Sequence, residues 1–247
     1  SGADRTAAAV PASSGSRGAT VAAGAPARTV ESADDEVAEE APLQIVARGV
    51  PVATIMRTPG HDIELVRGLL CAEAIVATSI VSDERNPGRV EVDADPALFT
   101  PRGLLASAAC GVCGRRGVDD LETVAASLTS DAAVDLGVLL GLPSAMRTQQ
   151  SMFARTGGVH AAALFRSDGE LMVVREDVGR HNAVDKVVGY ALMHDLSLHD
   201  TVLVLSGRAG FELVQKAVMA RIPIVASVSA PSSLAVVVAE RFSLALV

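Results

Sequence analysis

Cys110 and Cys113 stand three residues apart in the run Cys110-Gly111-Val112-Cys113-Gly114. Thiols at this spacing reach each other across one tight turn, so one can attack a sulfur carried by the other. Gly111 and Gly114 permit the turn, and Arg115 and Arg116 follow directly. Positive charge beside a thiol favours the thiolate, the form that accepts sulfur, and can draw a free-cysteine pKa from about 8.5 into the range of roughly 3.5 to 7.5. Spacing alone leaves three chemistries open: sulfur transfer, a thioredoxin-type redox pair and half of a structural zinc site. Zinc would have to complete its ligand set with histidines, because there is no second C-x-x-C, and His160 and His181 are the two set among polar, turn-like neighbours. A thioredoxin-type motif opens a helix after a strand, whereas this one lies in an irregular stretch.

A second constellation lies toward the C-terminus. The segments Arg175-Glu-Asp-Val-Gly-Arg-His-Asn182, Ser206-Gly-Arg-Ala-Gly210 and Ser227-Val-Ser-Ala-Pro-Ser-Ser233 each follow a predicted strand and open a predicted helix. Helix N-termini present unpaired N–H groups that favour anions, and ligands of open α/β sheets gather at the carboxyl ends of strands. Capping alone accounts for a single Ser or Asp in such a turn. Three turns together, with Arg180 and Arg208 suited to bidentate phosphate contact, point to a crevice for a phosphorylated ligand. Its candidate residues are Gly157, Gly158, His160, Asp177, Arg180, His181, Asn182, Ser206, Gly207, Arg208, Ser229 and Ser232. Asp177, Asp185, His160 and His181 are also of types that move protons or orient a ligand. Neither a Walker loop nor G-x-G-x-x-G is present, which removes the support for simple nucleotide hydrolysis and dinucleotide redox.

The elements that must position these residues follow from periodicity. Leu43 to Ala47 and Val50 to Met56 form β-type runs around Arg48-Gly49, a predicted hairpin. A helix follows, capped by Thr58 or Asp62, with Ile63, Val66, Leu69, Leu70 and Ala74 on one face; Cys71 within it reads as a packed small hydrophobe. Strands are expected at Ala77 to Val81 and Arg89 to Asp93, and helices at Val118 to Leu128 and Ser144 to Phe153, the latter ending before Gly157-Gly158. From Val159 the patterns alternate: a hairpin (His160 to Phe165, Leu171 to Val174), helix His181 to His194, strand Thr201 to Leu205, helix Gly210 to Arg221, strand Ile222 to Val228 and helix Ser232 to Phe242. That order implies parallel strands with crossover helices, and Ser243 to Val247 looks like the start of another strand.

The 247-residue chain is 49% hydrophobic, enough for one large domain or two small ones. Aromatics supply only 2%, so the core is built from Val, Leu, Ile and Ala, as suits sheets covered by helices. The predicted division is an acidic, disordered tail over 1–40, an N-terminal α+β domain over 41–147 with a mobile loop near 107–117, and a C-terminal domain over 148–247. A formal charge of -8 argues against nucleic-acid binding. Three cysteines, an odd number with two closely spaced, suit a reducing, cytoplasmic compartment. No secretory leader is evident, and the uncharged run from Ile222 to Ala239 is interrupted by Pro223, Pro231 and serines, so no membrane span is expected.

Taken together, Cys110-Gly-Val-Cys113-Gly114, Thr156-Gly-Gly-Val-His160, Arg175-Glu-Asp-Val-Gly-Arg-His-Asn-Ala-Val-Asp-Lys186, Ser206-Gly-Arg-Ala-Gly-Phe-Glu212 and Ser227-Val-Ser-Ala-Pro-Ser-Ser233 resemble the accessory sulfurtransferases of formate dehydrogenase over about residues 41–247. The resemblance implies a homodimeric sulfur carrier with a mixed α/β fold and a cytidine-deaminase-like C-terminal domain. Sulfane sulfur would come from a cysteine desulfurase as a persulfide on Cys110, assisted by Cys113. It would pass to the molybdenum of a bis(molybdopterin guanine dinucleotide) cofactor, bound as substrate and not as a permanent group, for use by formate dehydrogenase. The resemblance further implies a glycine-rich, basic cofactor-contacting segment after the position matching Val247. A zinc deaminase would need H-x-E followed by P-C-x-x-C, which is not met around His160. Two rivals stand beside this reading: a non-catalytic chaperone for the molybdenum cofactor, and a structural zinc protein.

Overall fold

A computed structural model describes residues 27–30, 35–83, 85–99 and 121–247. The thiol pair Cys110 and Cys113, and with it the loop 107–117, lies outside the described residues.

Strands β3 (Ala41–Ala47) and β4 (Val50–Arg57) pair antiparallel as the hydrophobic pattern predicts, and their turn places Arg48 and Gly49 at positive φ. With β5 (Ile80–Ser82) and β6 (Arg89–Val92) they form a four-stranded sheet in the order β4-β3-β6-β5, in which β3 and β6 run parallel. Helix α1 (Asp62–Ala72) covers it, burying Leu65, Val66, Leu69 and Leu70 against Leu43, Ile45, Ile55, Val90 and Val92. Neither predicted cap serves α1. His61 occupies the N-cap in the left-handed region, while Asp62 receives two hydrogen bonds from Arg57 and Thr58 points to a distant turn.

The larger sheet contains β7 (His160–Arg166), β8 (Leu171–Asp177), β9 (Thr201–Arg208), β10 (Ile224–Ser229) and β11 (Ala245–Leu246), in the order β11-β10-β9-β7-β8. β9, β10 and β11 are parallel, and β7 is antiparallel to both of its neighbours. The fold is therefore mixed α/β. Successive residues of a strand face opposite sides, and here both sides are apolar. Ala162, Leu164, Leu203 and Leu205 pack under α4 (Arg180–Met193), α5 (Phe211–Met219) and α6 (Ser233–Arg241). Ala161, Ala163, Phe165, Val202 and Val204 pack under α2 (Leu136–Thr148) through Leu142 and Met146. Burial on two faces explains why these strands read as continuous Val/Leu/Ala runs rather than alternating ones.

Four local expectations change. Residues 125–135 are not helical, so no helix reaches Leu128; instead Leu128 and Arg221 tie this stretch to the C-terminal helices by hydrogen bonds to the Phe242 carbonyl and from the Arg221 guanidinium. The helix expected from Ser144 begins at Leu136, where Asp135 accepts from the N–H groups of Gly137 and Val138, and continues through Pro143. It then breaks at Gln149-Gln150 before α3 (Ser151–Thr156), which ends on left-handed Gly157 as expected. Finally, β1 (Ala27–Val30) and β2 (Asp35–Ala38) pair antiparallel within the segment expected to lack order. Their order is supplied by tertiary contact, since Glu36 bonds Arg155 of α3 at 3.1 Å. Because α2 packs on the larger sheet, a boundary at 147 would also cut through a helix of that sheet.

Candidate functional site

With β7 reversed, its N-terminus lies beside the carboxyl ends of β8, β9 and β10. His160 pairs with Asp177, and Ser229 with Arg208. A cavity of about 700 Å³ opens at this edge, roofed by α2 and α3. Of the residues expected there, Gly157, Gly158, His160 and Ser206 line it. Ser206 fixes the edge geometry by accepting from the Ala161 N–H at 2.8 Å, and Gly207 lets the His160 ring lie close, since a Cβ there would sit 3.4 Å from Nδ1. Ser229 and Ser232 take local roles: the carbonyls of Gly207 and Ser229 each lie 2.6 Å from the Ser227 hydroxyl, which can donate its one proton to either, and Ser232 caps α6 by accepting from the Ala235 N–H.

Asp177 and Asn182 are placed to hold the turn that borders the cavity. Asp177 is 0% exposed. Its carboxylate accepts from the N–H of Thr58 (3.1 Å), the N–H of Gly179 (2.8 Å) and the Asn182 amide (2.9 Å), and pairs with Lys186 at 2.7 Å. Lys186 also donates to the Thr58 carbonyl, Asn182 to the Met56 carbonyl, and the Val178 N–H to the Thr58 hydroxyl. The Asp177 carboxylate and the Lys186 ammonium are thus both paired and hydrogen-bonded, as buried charges require. It fastens the end of β4 to the β8–α4 turn and so sets the position of Val178, which lines the cavity.

The cavity's remaining wall went unrecognised in the sequence. Met146, Arg147, Gln150 and Phe153 face it from α2, α3 and the break between them. The Arg147 guanidinium lies over the Phe153 ring at 4.1 Å. Gln150 is only 4% exposed and lines the cavity, and among the described residues its side-chain amide makes no hydrogen bond. Glu176 anchors this wall by accepting from the N–H groups of Met152 (2.9 Å) and Phe153 (2.8 Å). Among the described residues Arg147, Arg180 and Arg208 have no carboxylate partner, an arrangement that favours an anion at this edge despite the chain's net charge of -8.

The model of the FdhD/NarQ family matches residues 38–247. The chain belongs to this family. Among FdhD/NarQ relatives, proteins named sulfur carrier protein FdhD are 46% identical over 229 residues in Corynebacterium efficiens (84% of this chain, 83% of that one) and 44% identical over 239 residues in Streptomyces coelicolor (88% and 85%). A solved structure from Desulfotalea psychrophila, assigned as a formate dehydrogenase accessory protein, has a TM-score of 0.70 at 25% identity, covering 93% of this chain and 90% of that one.

In this FdhD/NarQ chain the described thiol is Cys71. Burial first, and then Asp185, against the opposing effect of Lys216, push its pKa up to about 11, so it stays protonated and unreactive, in keeping with a packing role. Burial and then Arg180 push His160 below the usual histidine range, with Asp177 opposing. Among the described residues no cluster of three or more metal-ligating side chains occurs, and no helix is long and apolar enough to cross a membrane.

Proposed function

We propose that this chain accepts sulfane sulfur from a cysteine desulfurase on Cys110 and delivers it to the molybdenum of a bis(molybdopterin guanine dinucleotide) cofactor destined for formate dehydrogenase. The observation that carries the cofactor half of this reading is the cavity wall. A flat ring under a guanidinium, apolar flanks from Met146 and Val159, and the Gln150 amide in the cavity wall suit a planar base: the ring and flanks supply stacking, and an amide can both donate to and accept from a heterocycle edge. Guanine fills this slot in the proposal, and its phosphates extend toward Arg180 and Arg208 at the strand ends. Phe153→Ala is expected to weaken binding of diguanosine diphosphate by roughly tenfold, the lower part of the range for losing one base stack. Isothermal titration checks it.

Loading begins when the Cys110 thiolate attacks the outer sulfur of the desulfurase persulfide. The S–S bond of the desulfurase breaks, its cysteine leaves as thiolate, and a persulfide forms on Cys110, with Cys113 as its assistant. The names of the relatives support sulfur carriage. Mass spectrometry after incubation with desulfurase and cysteine should show one added sulfur atom on the peptide holding Cys110, and none in Cys110→Ala. Unchanged labelling of that variant would defeat the assignment. Formate dehydrogenase maturation by a Cys110→Ala, Cys113→Ala double variant would favour the chaperone, and stoichiometric metal in the purified protein would favour the zinc protein.

The order second, first, third, fourth, fifth with the first strand reversed supports a cytidine-deaminase-like reading of the larger sheet. A cytoplasmic homodimer completes the proposal. Cysteine usage supports the compartment, and Leu136 and Leu140, exposed on successive turns of α2, support self-association.

A further inference from the structure

His181 is 3% exposed, and among the described residues neither of its ring nitrogens has a hydrogen-bond partner. Buried polar groups are ordinarily paired, so an orphaned imidazole calls for a partner that arrives later. It follows Arg180 at the start of α4, three residues past Val178 of the cavity wall. Its Nε2 lies 3.9 Å from Glu212 Oε2 on α5, too far for a hydrogen bond. The Glu212 side chain is 43% exposed and has room to close that gap.

The charges around the ring come from each element packed on it. Its own helix supplies Arg180, and Asp185 one turn on; α5 supplies Glu212, and Lys216 held by Asp185 at 2.7 and 2.8 Å. β7 supplies His160, beside Asp177 of β8, which is already paired with Lys186. Cys71 of α1 lies beside the Asp185 pair, and Glu73, just past the end of α1, acts on Asp185. Burial, then Lys216, Arg180 and His160, hold the imidazole neutral, with its pKa down at about 3. A diphosphate drawn to Arg180 offsets that positive field, and the Glu212 carboxylate can then complete an ion pair.

We propose that His181, with Glu212, takes up one proton from solvent when a diphosphate occupies the strand-end crevice, so that ligand binding at this site is proton-coupled. No other bond changes. This rests on the guanine-dinucleotide reading above. The sign follows from linkage: the group's pKa is higher in the occupied state, so affinity falls as pH rises, by up to about tenfold per pH unit.

The test is calorimetric titration of the whole chain with diguanosine diphosphate, whose phosphates do not titrate near neutrality, in buffers of different ionisation enthalpy between about pH 6 and pH 8. Uptake of a fraction of a proton per ligand, growing toward pH 6, is expected. His181→Asn should abolish the uptake and flatten the pH dependence. Glu212→Gln, a substitution at a partly exposed position, should reduce the uptake while leaving the fold intact. Binding without proton uptake, or undiminished uptake in His181→Asn, overturns the coupling alone. Absence of any binding by the unaltered chain overturns the guanine reading and the coupling with it.

Discussion

Gly189→Ala is expected to cost about 3 kcal/mol or more, the upper end of what overpacking does to a core. Helices α1 and α4 cross with their backbones in near contact, and each contributes a glycine to the crossing. A Cβ on Gly189 would lie 1.8 Å from the Glu64 carbonyl oxygen, and one on Gly68 would lie 2.0 Å from that of Asp185. Both obstacles are backbone, so the helices must separate. Separation also strains the pair between Glu64 and Arg175, whose two bonds measure 2.6 and 2.8 Å. Burial opposes the charge of Glu64, but Arg175 and His61 outweigh it and hold its pKa at about 2, so this pair stays formed until strongly acid pH. The gain in helix propensity, about 1 kcal/mol, does not offset the clash. Thermal unfolding should show a fall of roughly 6–12 °C. Gly141→Ala in α2 is the internal control: nothing lies within 4 Å of its Cβ position, so stability should rise by about 0.5–1 kcal/mol. An equal response at both positions would refute the crossing.

Lys186→Met should lower stability by about 3–5 kcal/mol, because it leaves the Asp177 carboxylate buried without its counter-charge. The side chains of both partners are at most 1% exposed, so water cannot compensate. The Thr58 carbonyl loses its donor in the same step. Adding Asp177→Asn removes the stranded charge and should recover part of the loss, which makes the pair a double-mutant cycle readable by urea titration. Strictly additive losses would show that the two groups do not act on each other. The weakened turn carries Val178, so ligand affinity should fall in the single variant as well.

Much of the fold was legible in the chain itself. Every strand of the larger sheet and its three helices after Val178 fall close to their expected positions, because each has its own apolar period and is bounded by Gly, Pro or Ser. Pro143 hid the start of α2, since proline at that point reads as a beginning rather than an interior. The break at Gln149-Gln150 was hidden too, and with it the wall formed by Arg147, Gln150 and Phe153. Its one available signal was a phenylalanine in a chain that has only five.

The residue types therefore determined which strand ends would meet and that arginine and small polar groups would gather there, since element boundaries depend on neighbours in sequence. Only the tertiary structure decided which of those groups face the cavity. Asp177 and Asn182 turn away to bind β4, and His181 is sealed between helices, because partners such as Thr58 and Lys186 lie far apart along the chain or on another element. Hydrogen-bond satisfaction and steric fit are properties of the packed whole, and no local pattern encodes them.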